Sequence, residues 1–304
     1  MVLITGASGN NGIALIRRLR HSGLPIRAMI RRPQDFLRET LPGVEFVTAD
    51  FDDPGSLRGV LSGIRSAFLV TNSSERVEEQ QLGFVRAAQA AGVRHIVYLS
   101  QFNASRDSPV RFLRYHGVVE DAIVASGMAF THLRPNLFMQ GLLTSRASIA
   151  GEGRFYAPAG IARVSIVDLR DIADAAAAAL SDRRHEGKIY DITGPESLTH
   201  AEIARLLSAE LNRNITFVDT PEASMRDALR GLGMPDWQAE GLIEDYAHYR
   251  RGEASAISGT VEEVTGHRAR SFAEFARDYH QAFQSEPNAS MARTNASPAL
   301  SPWF

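Results

Sequence analysis

The sequence contains no cysteine among its 304 residues. This absence excludes disulfide bonds, thiolate metal ligands and a cysteine nucleophile, so any redox chemistry must come from a bound cofactor. Net charge is also nearly absent, because 33 basic and 35 acidic side chains leave a formal charge of −2. Without a global positive field, neither nucleic acid nor an anionic membrane is expected as a partner.

Long apolar runs are missing as well. No stretch is long enough to span a bilayer, and the first residues lack the basic and apolar segments of a secretory signal. Together with the missing cysteines, this favours a cytoplasmic protein. The nine histidines show no His-Glu-x-x-His spacing, so no metal site is predicted.

What is present is ordinary for a globular protein, with 44% apolar and 22% charged residues in a length typical of roughly two domains. Over the first 135 residues, short apolar segments alternate with segments of helical periodicity. This order predicts a parallel sheet with helices on both faces. The predicted strands span residues 2–5, 26–30, 44–48, 67–70, 95–99 and 129–133. One predicted helix, residues 77–91, places on one face Val77, Gln81, Phe84, Val85 and Ala88.

Capping residues predict three helix starts. Asp53 and Ser108 each precede a proline, which suits the first position of a helix. Thr199 followed by Glu202 is the pattern of a capping box and predicts a helix over residues 201–211.

A glycine-rich loop directly follows the first predicted strand and leads into a helix over about residues 13–21. Its first and middle glycines allow a tight turn and a close approach to a pyrophosphate, and its last glycine lets helix and strand pack closely. The helix N-terminus offers free N–H groups to the phosphates. The placement predicts a dinucleotide site on a Rossmann-type doubly wound sheet, with these residues against the cofactor: Gly6, Ser8, Gly9, Asn10, Asn11 and Gly12.

The second predicted strand ends at Arg31 and Arg32, where NAD-specific proteins place an acidic residue. Two guanidinium groups suit a 2′-phosphate, so NADP(H) is favoured over NAD(H). A pair of solvated surface arginines is the alternative interpretation. After the third strand, Asp50 and Phe51 are candidates for holding the adenine edge, although Asp50 could instead cap a turn.

The residues resemble the NmrA-like group of atypical short-chain dehydrogenases. The resemblance extends over about residues 1–283 and is carried by residues 5–12, 31–33, 90–98, 133–136 and 167–173. It implies either an NADPH-dependent reductase of quinones or dyes, or a protein that binds NADP(H) to sense redox state through protein contacts. A sugar-nucleotide epimerase is a weaker alternative, because such enzymes depend on a Tyr and a Lys that this chain lacks at the corresponding positions.

The catalytic positions of the wider family are altered in this chain. The resemblance places Phe112 where short-chain dehydrogenases have their Tyr and His116 where they have their Lys, while Ser100 remains. Phenylalanine has no titratable proton, so ordinary alcohol-to-ketone chemistry is not expected. The candidates are His116, for binding the nicotinamide ribose or donating a proton, and Tyr115, for turning a hydroxyl into the cleft. A polar helix residue facing water or a core partner is the alternative for His116.

The resemblance also implies further contacts. Thr71 and Asn72 would pass near the phosphate and ribose of the cofactor, and Pro135, Asn136 and Phe138 would lie beside the nicotinamide. A small, flat, apolar acceptor is expected as substrate, although each aromatic residue of its expected walls is also a candidate for the core. These walls are Gln101, Phe102, Phe138, Met139, Phe155, Tyr156 and Trp237.

The chain order divides the sequence unevenly. We expect an NADP(H)-binding domain over residues 1–135 and a smaller, mainly helical substrate-binding lobe over residues 136–283. The boundary is approximate, since the chain can cross back between the two. Residues 284–304 consist mainly of Ser, Ala, Asn and Pro, too little apolar material to offset chain entropy, and are predicted to be a disordered tail.

Overall fold

A computed structural model describes residues 1–284. Apart from Gln284, the predicted disordered tail lies outside the described residues. The strands are β1 (Val2–Ile4), β2 (Ile26–Ile30), β3 (Glu45–Thr48), β4 (Ser66–Leu69), β5 (His95–Leu99), β6 (Ala129–Pro135), β7 (Arg154–Ala157), β8 (Arg163–Val164), β9 (Lys188–Ile192), β10 (Leu198–Thr199) and β11 (Thr216–Asp219).

The α-helices are α1 (Asn10–Leu19), α2 (Asp35–Thr40), α3 (Pro54–Leu61), α4 (Val77–Ala90), α5 (Arg111–Ala125), α6 (Arg146–Glu152), α7 (Leu169–Ser181), α8 (His200–Leu211), α9 (Glu222–Gly231), α10 (Asp236–Arg250), α11 (Thr260–Thr265), α12 (Phe272–Asp278) and α13 (His280–Gln284). Two 3-10 helices span Met139–Ser145 and Arg183–His185. Within residues 1–284, no helix combines the length and the apolar character needed to cross a bilayer.

Seven strands form one parallel sheet in the order β3-β2-β1-β4-β5-β6-β9. The chain order reverses beside β1, and such a switch point opens a crevice at the carboxyl ends of the strands. All six predicted strands are present, with ends shifted by at most two residues. The predicted Rossmann-type doubly wound fold is therefore confirmed.

Alternate side chains of the strands pack into two separate cores, one on each face of the sheet. Ile4 and Phe68 belong to the core shared with α1 and α7. Leu3 and Leu69 belong to the core shared with α3, α4 and α5. Because both faces are covered, the strands are apolar almost without interruption.

The second lobe has its own core, to which β7, α8, α10 and α12 contribute Phe155, Leu207, Tyr246 and Phe275. The chain does not enter this lobe only once. Residues 169–192 return to the first lobe, where α7 packs on α1 and β9 adds the last strand beside β6. The lobes are thus joined by more than one crossing of the chain, at the carboxyl ends of β6 and β9.

Two of the three predicted caps are confirmed. Asp53 accepts a hydrogen bond from the Gly55 N–H at the start of α3, and Thr199 forms a capping box with Glu202 at α8. The prediction for Ser108 is wrong, because α5 begins only at Arg111 and its N-cap is Val110.

The first N–H of α5 is instead bound by the second lobe. The Arg111 N–H donates to a Glu244 carboxylate oxygen of α10 at 2.8 Å, and the Arg111 guanidinium donates to the other oxygen of that carboxylate. The start of α5 therefore depends on contact between the lobes.

Candidate functional site

The glycine loop has the geometry of a phosphate cradle. Gly6 adopts a left-handed φ of 55°, and the Gly9 N–H donates to the Gly6 carbonyl at 2.9 Å. A Cβ on Gly12 would lie 2.4 Å from that same carbonyl oxygen, so only glycine fits there. No side chain caps the N-terminus of α1, which leaves its N–H groups open to an anion.

The residues predicted beside the adenosine half of the cofactor lie at the ends of β2 and β3. Arg31 and Arg32 are exposed, and neither forms an ion pair with any residue that the structure describes. The Asp50 carboxylate accepts a hydrogen bond from the Asp52 N–H at 3.0 Å. Asp50 therefore caps a turn, which is the alternative to a contact with the adenine. The Phe51 ring packs on Phe84, with 5.8 Å between ring centroids.

A narrow pocket of about 40 Å³ opens at the carboxyl ends of β4, β5 and β6. We call it the polar pocket, because it is lined by Ser100, Gln101, Tyr115, His116 and Asp245. Helix α10 of the second lobe closes one side of it. The pocket also contains Thr71, Pro135, Asn136 and Phe138, so it brings together predicted site residues from three strands and one helix.

A chain of hydrogen bonds leads from His116 away from the pocket. His116 Nδ1 lies 2.7 Å from the Tyr98 hydroxyl, which donates to Gln81 Oε1 at 2.7 Å. The Gln81 amide donates in turn to Thr71 Oγ1 at 2.7 Å. Because the single hydroxyl proton of Tyr98 goes to Gln81, Tyr98 accepts from His116, and the His116 proton is on Nδ1.

His116 is therefore an acceptor toward the pocket. Its Nε2 is buried and has no hydrogen-bond partner among the described residues. Burial, aided by the nearby Arg134 guanidinium, lowers the pKa of His116 to about 3, so the ring is neutral at neutral pH. A neutral ring with its proton on Nδ1 can accept a hydrogen bond through Nε2 but has no proton to donate there.

Two more polar atoms of the pocket are buried without a partner in the described chain, Ser100 Oγ and Gln101 Oε1. Each such atom costs about 1–3 kcal/mol when it stays unsatisfied. Three of them around one pocket fit a ligand with several hydrogen-bonding groups, as the ribose and carboxamide of a nicotinamide nucleotide have. Together with the Gly12 cradle, the residues present fit the predicted dinucleotide.

The remaining titratable groups of the pocket differ in their environment. The Tyr115 hydroxyl lies 3.4 Å from Ser73 Oγ, and burial raises the pKa of this tyrosine well above its ordinary value. Asp245 accepts from the Gln101 amide at 3.1 and 3.2 Å. Burial raises the pKa of this carboxyl to about 7.

A larger cavity of about 760 Å³ adjoins the polar pocket, and the two share Leu137 and Phe138 as walls. Its lining is mainly apolar. Among the described residues that line it, none is Lys or Arg. Besides Phe138, four predicted site residues border this cavity: Asn72, Met139, Phe155 and Tyr156.

Two residues predicted as substrate walls line neither cavity, and Asn136 lines the polar pocket but has its amide engaged by other residues. Phe102 is buried and lines neither cavity, while Trp237 packs on the outer side of Phe112 and Tyr115. The Asn136 amide donates to Ser165 Oγ and to the Ala254 carbonyl, both at 2.8 Å, so its N–H groups are already bound within the second lobe.

Sequence reasoning missed three residues of the site. Gln81 and Tyr98 carried a usable signal, because each is a polar group on an otherwise buried face of a helix or strand. Asp245 carried none, since its partner Gln101 lies 144 residues away.

One group of possible metal-binding side chains exists among the described residues, formed by Asp171, Asp174 and His267. Arg270 pairs with both carboxylates, and Arg18 pairs with Asp174 at 2.7 Å. The cluster is an ion-pair network between α1, α7 and the segment before α12.

The fold and the glycine cradle define a dinucleotide-binding protein of the Rossmann type. The chain belongs to the NmrA-like family, whose model matches residues 1–279. The family resemblance found in the sequence is thereby confirmed.

Three relatives illustrate the family. The chain is 35% identical to the NAD(P)H azoreductase of Xenophilus azovorans, over 93% of this chain and 99% of that protein. It is 35% identical to the (4-alkanoyl-5-oxo-2,5-dihydrofuran-3-yl)methyl phosphate reductase of Streptomyces griseus, over 94% and 100%. The crystal structure of an NADPH-dependent quinone oxidoreductase from Escherichia coli complexed with NADPH has a TM-score of 0.82 and 29% identity, covering 92% of this chain and all of that chain.

Proposed function

We propose that this protein is an NADPH-dependent reductase that delivers a hydride to a small conjugated acceptor such as a quinone or an azo dye. The observation that carries the proposal is the apolar cavity of about 760 Å³ beside the polar pocket. The polar pocket opens at the carboxyl ends of the strands, where doubly wound folds bind ligands. The names of the azoreductase and quinone oxidoreductase relatives support it.

The chain's own residues would hold the cofactor in an extended arrangement. The loop from Gly6 to Gly12 and the open start of α1 would bind the pyrophosphate. Arg31 and Arg32 would bind the 2′-phosphate, which supports NADPH over NADH. When bound, the nicotinamide supplies the hydride and the electrons of the reaction.

His116 would orient the nicotinamide half rather than donate a proton. Its Nε2 accepts, so a ribose hydroxyl is a suitable partner, and the chain through Tyr98 and Gln81 keeps the ring in that tautomer. Ser100 Oγ can donate to or accept from the same nucleotide, since it has no partner in residues 1–284. The result is a preorganised site in which little rearrangement accompanies binding.

The lining of the large cavity narrows the class of acceptor. Phe155, Tyr156 and Met139 offer flat, apolar contact. The described lining contains no Lys or Arg to bind a phosphate, which favours an uncharged acceptor over a phosphorylated one like that of the Streptomyces relative. A redox sensor that acts only through protein contacts needs no such cavity, so the cavity favours the reductase.

The two lobes divide these tasks. In this proposal, residues 1–135 form the NADP(H)-binding domain, and α7 and β9, which come later in the chain, pack onto it. Residues 136–283 supply most of the acceptor cavity.

Consumption of NADPH at 340 nm, measured with a panel of quinones and azo dyes, tests the proposal. We expect acceptor-dependent oxidation that is faster with NADPH than with NADH at equal concentration. Oxidation at the background rate with every acceptor would refute the reductase.

A further inference from the structure

We propose that Asp245 is the catalytic proton donor of this reductase, in place of the tyrosine that Phe112 replaces. The inference rests on the proposed function, because it concerns the proton that must accompany the hydride. It assigns to helix α10 of the second lobe a direct part in the chemistry.

The position of Asp245 carries the inference. The side chain is buried and lines the polar pocket, with both oxygens within 3.2 Å of the Gln101 amide nitrogen. Within residues 1–284 it forms no ion pair. A carboxyl that is removed from water and has no cation beside it is stable in its neutral, proton-carrying form.

The other groups of the pocket are poorly suited to the task. His116 holds its proton on Nδ1, turned toward Tyr98 and away from the pocket. Burial raises the pKa of Tyr115 so far that it holds its proton firmly. Ser100 has an alcohol hydroxyl, which is a far weaker acid than a carboxyl.

Burial is the main cause of the raised pKa of Asp245, and no charge among the described residues around this carboxyl lowers it. Glu244 on the same helix raises the pKa of Asp245, and the neighbouring phenols, Tyr115 of α5 and Tyr246 and Tyr249 of α10, carry no charge at neutral pH. The hydrogen bond from the Gln101 amide lowers the pKa, but burial outweighs it, and the resulting pKa of about 7 suits a general acid at neutral pH.

The step is balanced as follows. The hydride brings two electrons and forms one bond to hydrogen on the conjugated acceptor, which becomes an anion on oxygen or nitrogen. The reacting end of the acceptor extends from the large cavity past the shared walls, Leu137 and Phe138, into the polar pocket. There the O–H bond of Asp245 breaks and its proton forms a new O–H or N–H bond on that anion. The carboxylate that remains recovers a proton from water when the product leaves.

The test compares wild type with Asp245→Asn, in which the amide oxygen still accepts from Gln101. We expect kcat/KM of the wild type to fall about tenfold per pH unit above about pH 7, and the variant to be about 100-fold slower with no break in its pH profile. Asp227→Asn makes the same chemical change at an exposed position on α9 and serves as the control, which should behave as wild type.

A second measurement does not depend on turnover. In the cofactor-free protein, the infrared carbonyl band of a protonated carboxyl should be lost on Asp245→Asn and should titrate near pH 7 in the wild type. An active wild type whose pH profile has no break near pH 7, or an active Asp245→Asn with the wild-type profile, would overturn the inference. A wild type that oxidises no NADPH with any acceptor would overturn the proposed function instead, and the infrared band would still report the state of Asp245.

Discussion

Asparagine in place of Asp245 should stabilise the protein at about pH 8 and leave its stability near pH 4 almost unchanged. Burial raises the pKa of this carboxyl from 3.8 to about 7. Between these two values the folded protein holds a proton that the unfolded chain has released. The stability contributed by the neutral carboxyl is therefore complete below about pH 4 and is lost as the pH rises toward 7.

The magnitude follows from the same two values. A pKa raised by about three is a thousandfold change in proton affinity, and at about 1.4 kcal/mol for each tenfold change this amounts to about 4 kcal/mol. Asparagine keeps an oxygen that accepts from the Gln101 amide and never ionises, so the variant avoids this loss.

Urea denaturation of wild type, Asp245→Asn and Asp227→Asn at a series of pH values would measure the effect. The free energy of unfolding of Asp245→Asn minus that of the wild type should grow by about 1.4 kcal/mol per pH unit between about pH 4 and pH 7, then level off. Asp227→Asn controls for the loss of an exposed carboxylate. A flat difference for Asp245 would refute the reasoning, because it would mean that this carboxyl ionises as easily in the folded state as in water.

Three other substitutions test the cofactor site and the scaffold. Arg31→Glu should weaken NADPH binding about 10- to 100-fold in a fluorescence titration and leave NADH nearly unaffected, since one charge-assisted contact to the 2′-phosphate is worth about 1.5–3 kcal/mol; equal losses would show that Arg31 does not contact that phosphate. Gly12→Ala should abolish NADPH binding because its Cβ would lie 2.4 Å from the Gly6 carbonyl oxygen, whereas Gly59→Ala, with open space around it, should bind normally. Arg134→Met should lower the free energy of unfolding by about 3–5 kcal/mol, because it leaves the buried Glu120 carboxylate without its partner. Adding Glu120→Gln to that variant should restore much of the loss in urea denaturation, and no recovery would argue against an uncompensated charge as the cause.

Much of the first lobe could be predicted because its signals are local. Strands covered on both faces are apolar runs, so their ends were found within two residues. The cradle followed from glycines placed between the first strand and the first helix, where a Cβ on Gly12 would meet backbone. The capping box of Thr199 and Glu202 involves only neighbours in the chain and was equally readable.

The start of α5 shows where local signals fail. Ser108 precedes a proline, yet the helix starts at Arg111 because Glu244, 133 residues further along, binds its first N–H group. Gln81 is an intermediate case, since its polar side chain on an apolar face was visible in the sequence, but its bonds to Tyr98 and Thr71 were not.

The sequence by itself determined the doubly wound sheet, the glycine loop and the family, because each depends on periodicity or on neighbouring residues. The tertiary structure decided the chemistry of the polar pocket. It brought Asp245 to Gln101 and set the tautomer of His116 through Tyr98. The buried residues of helix α10 include the polar Gln238, Asp245 and His248 beside apolar side chains, so a hydrophobic pattern does not mark its inner face. Only its packing between the second core and α5 determines that Asp245 enters the pocket, and only that burial makes its carboxyl a weak acid.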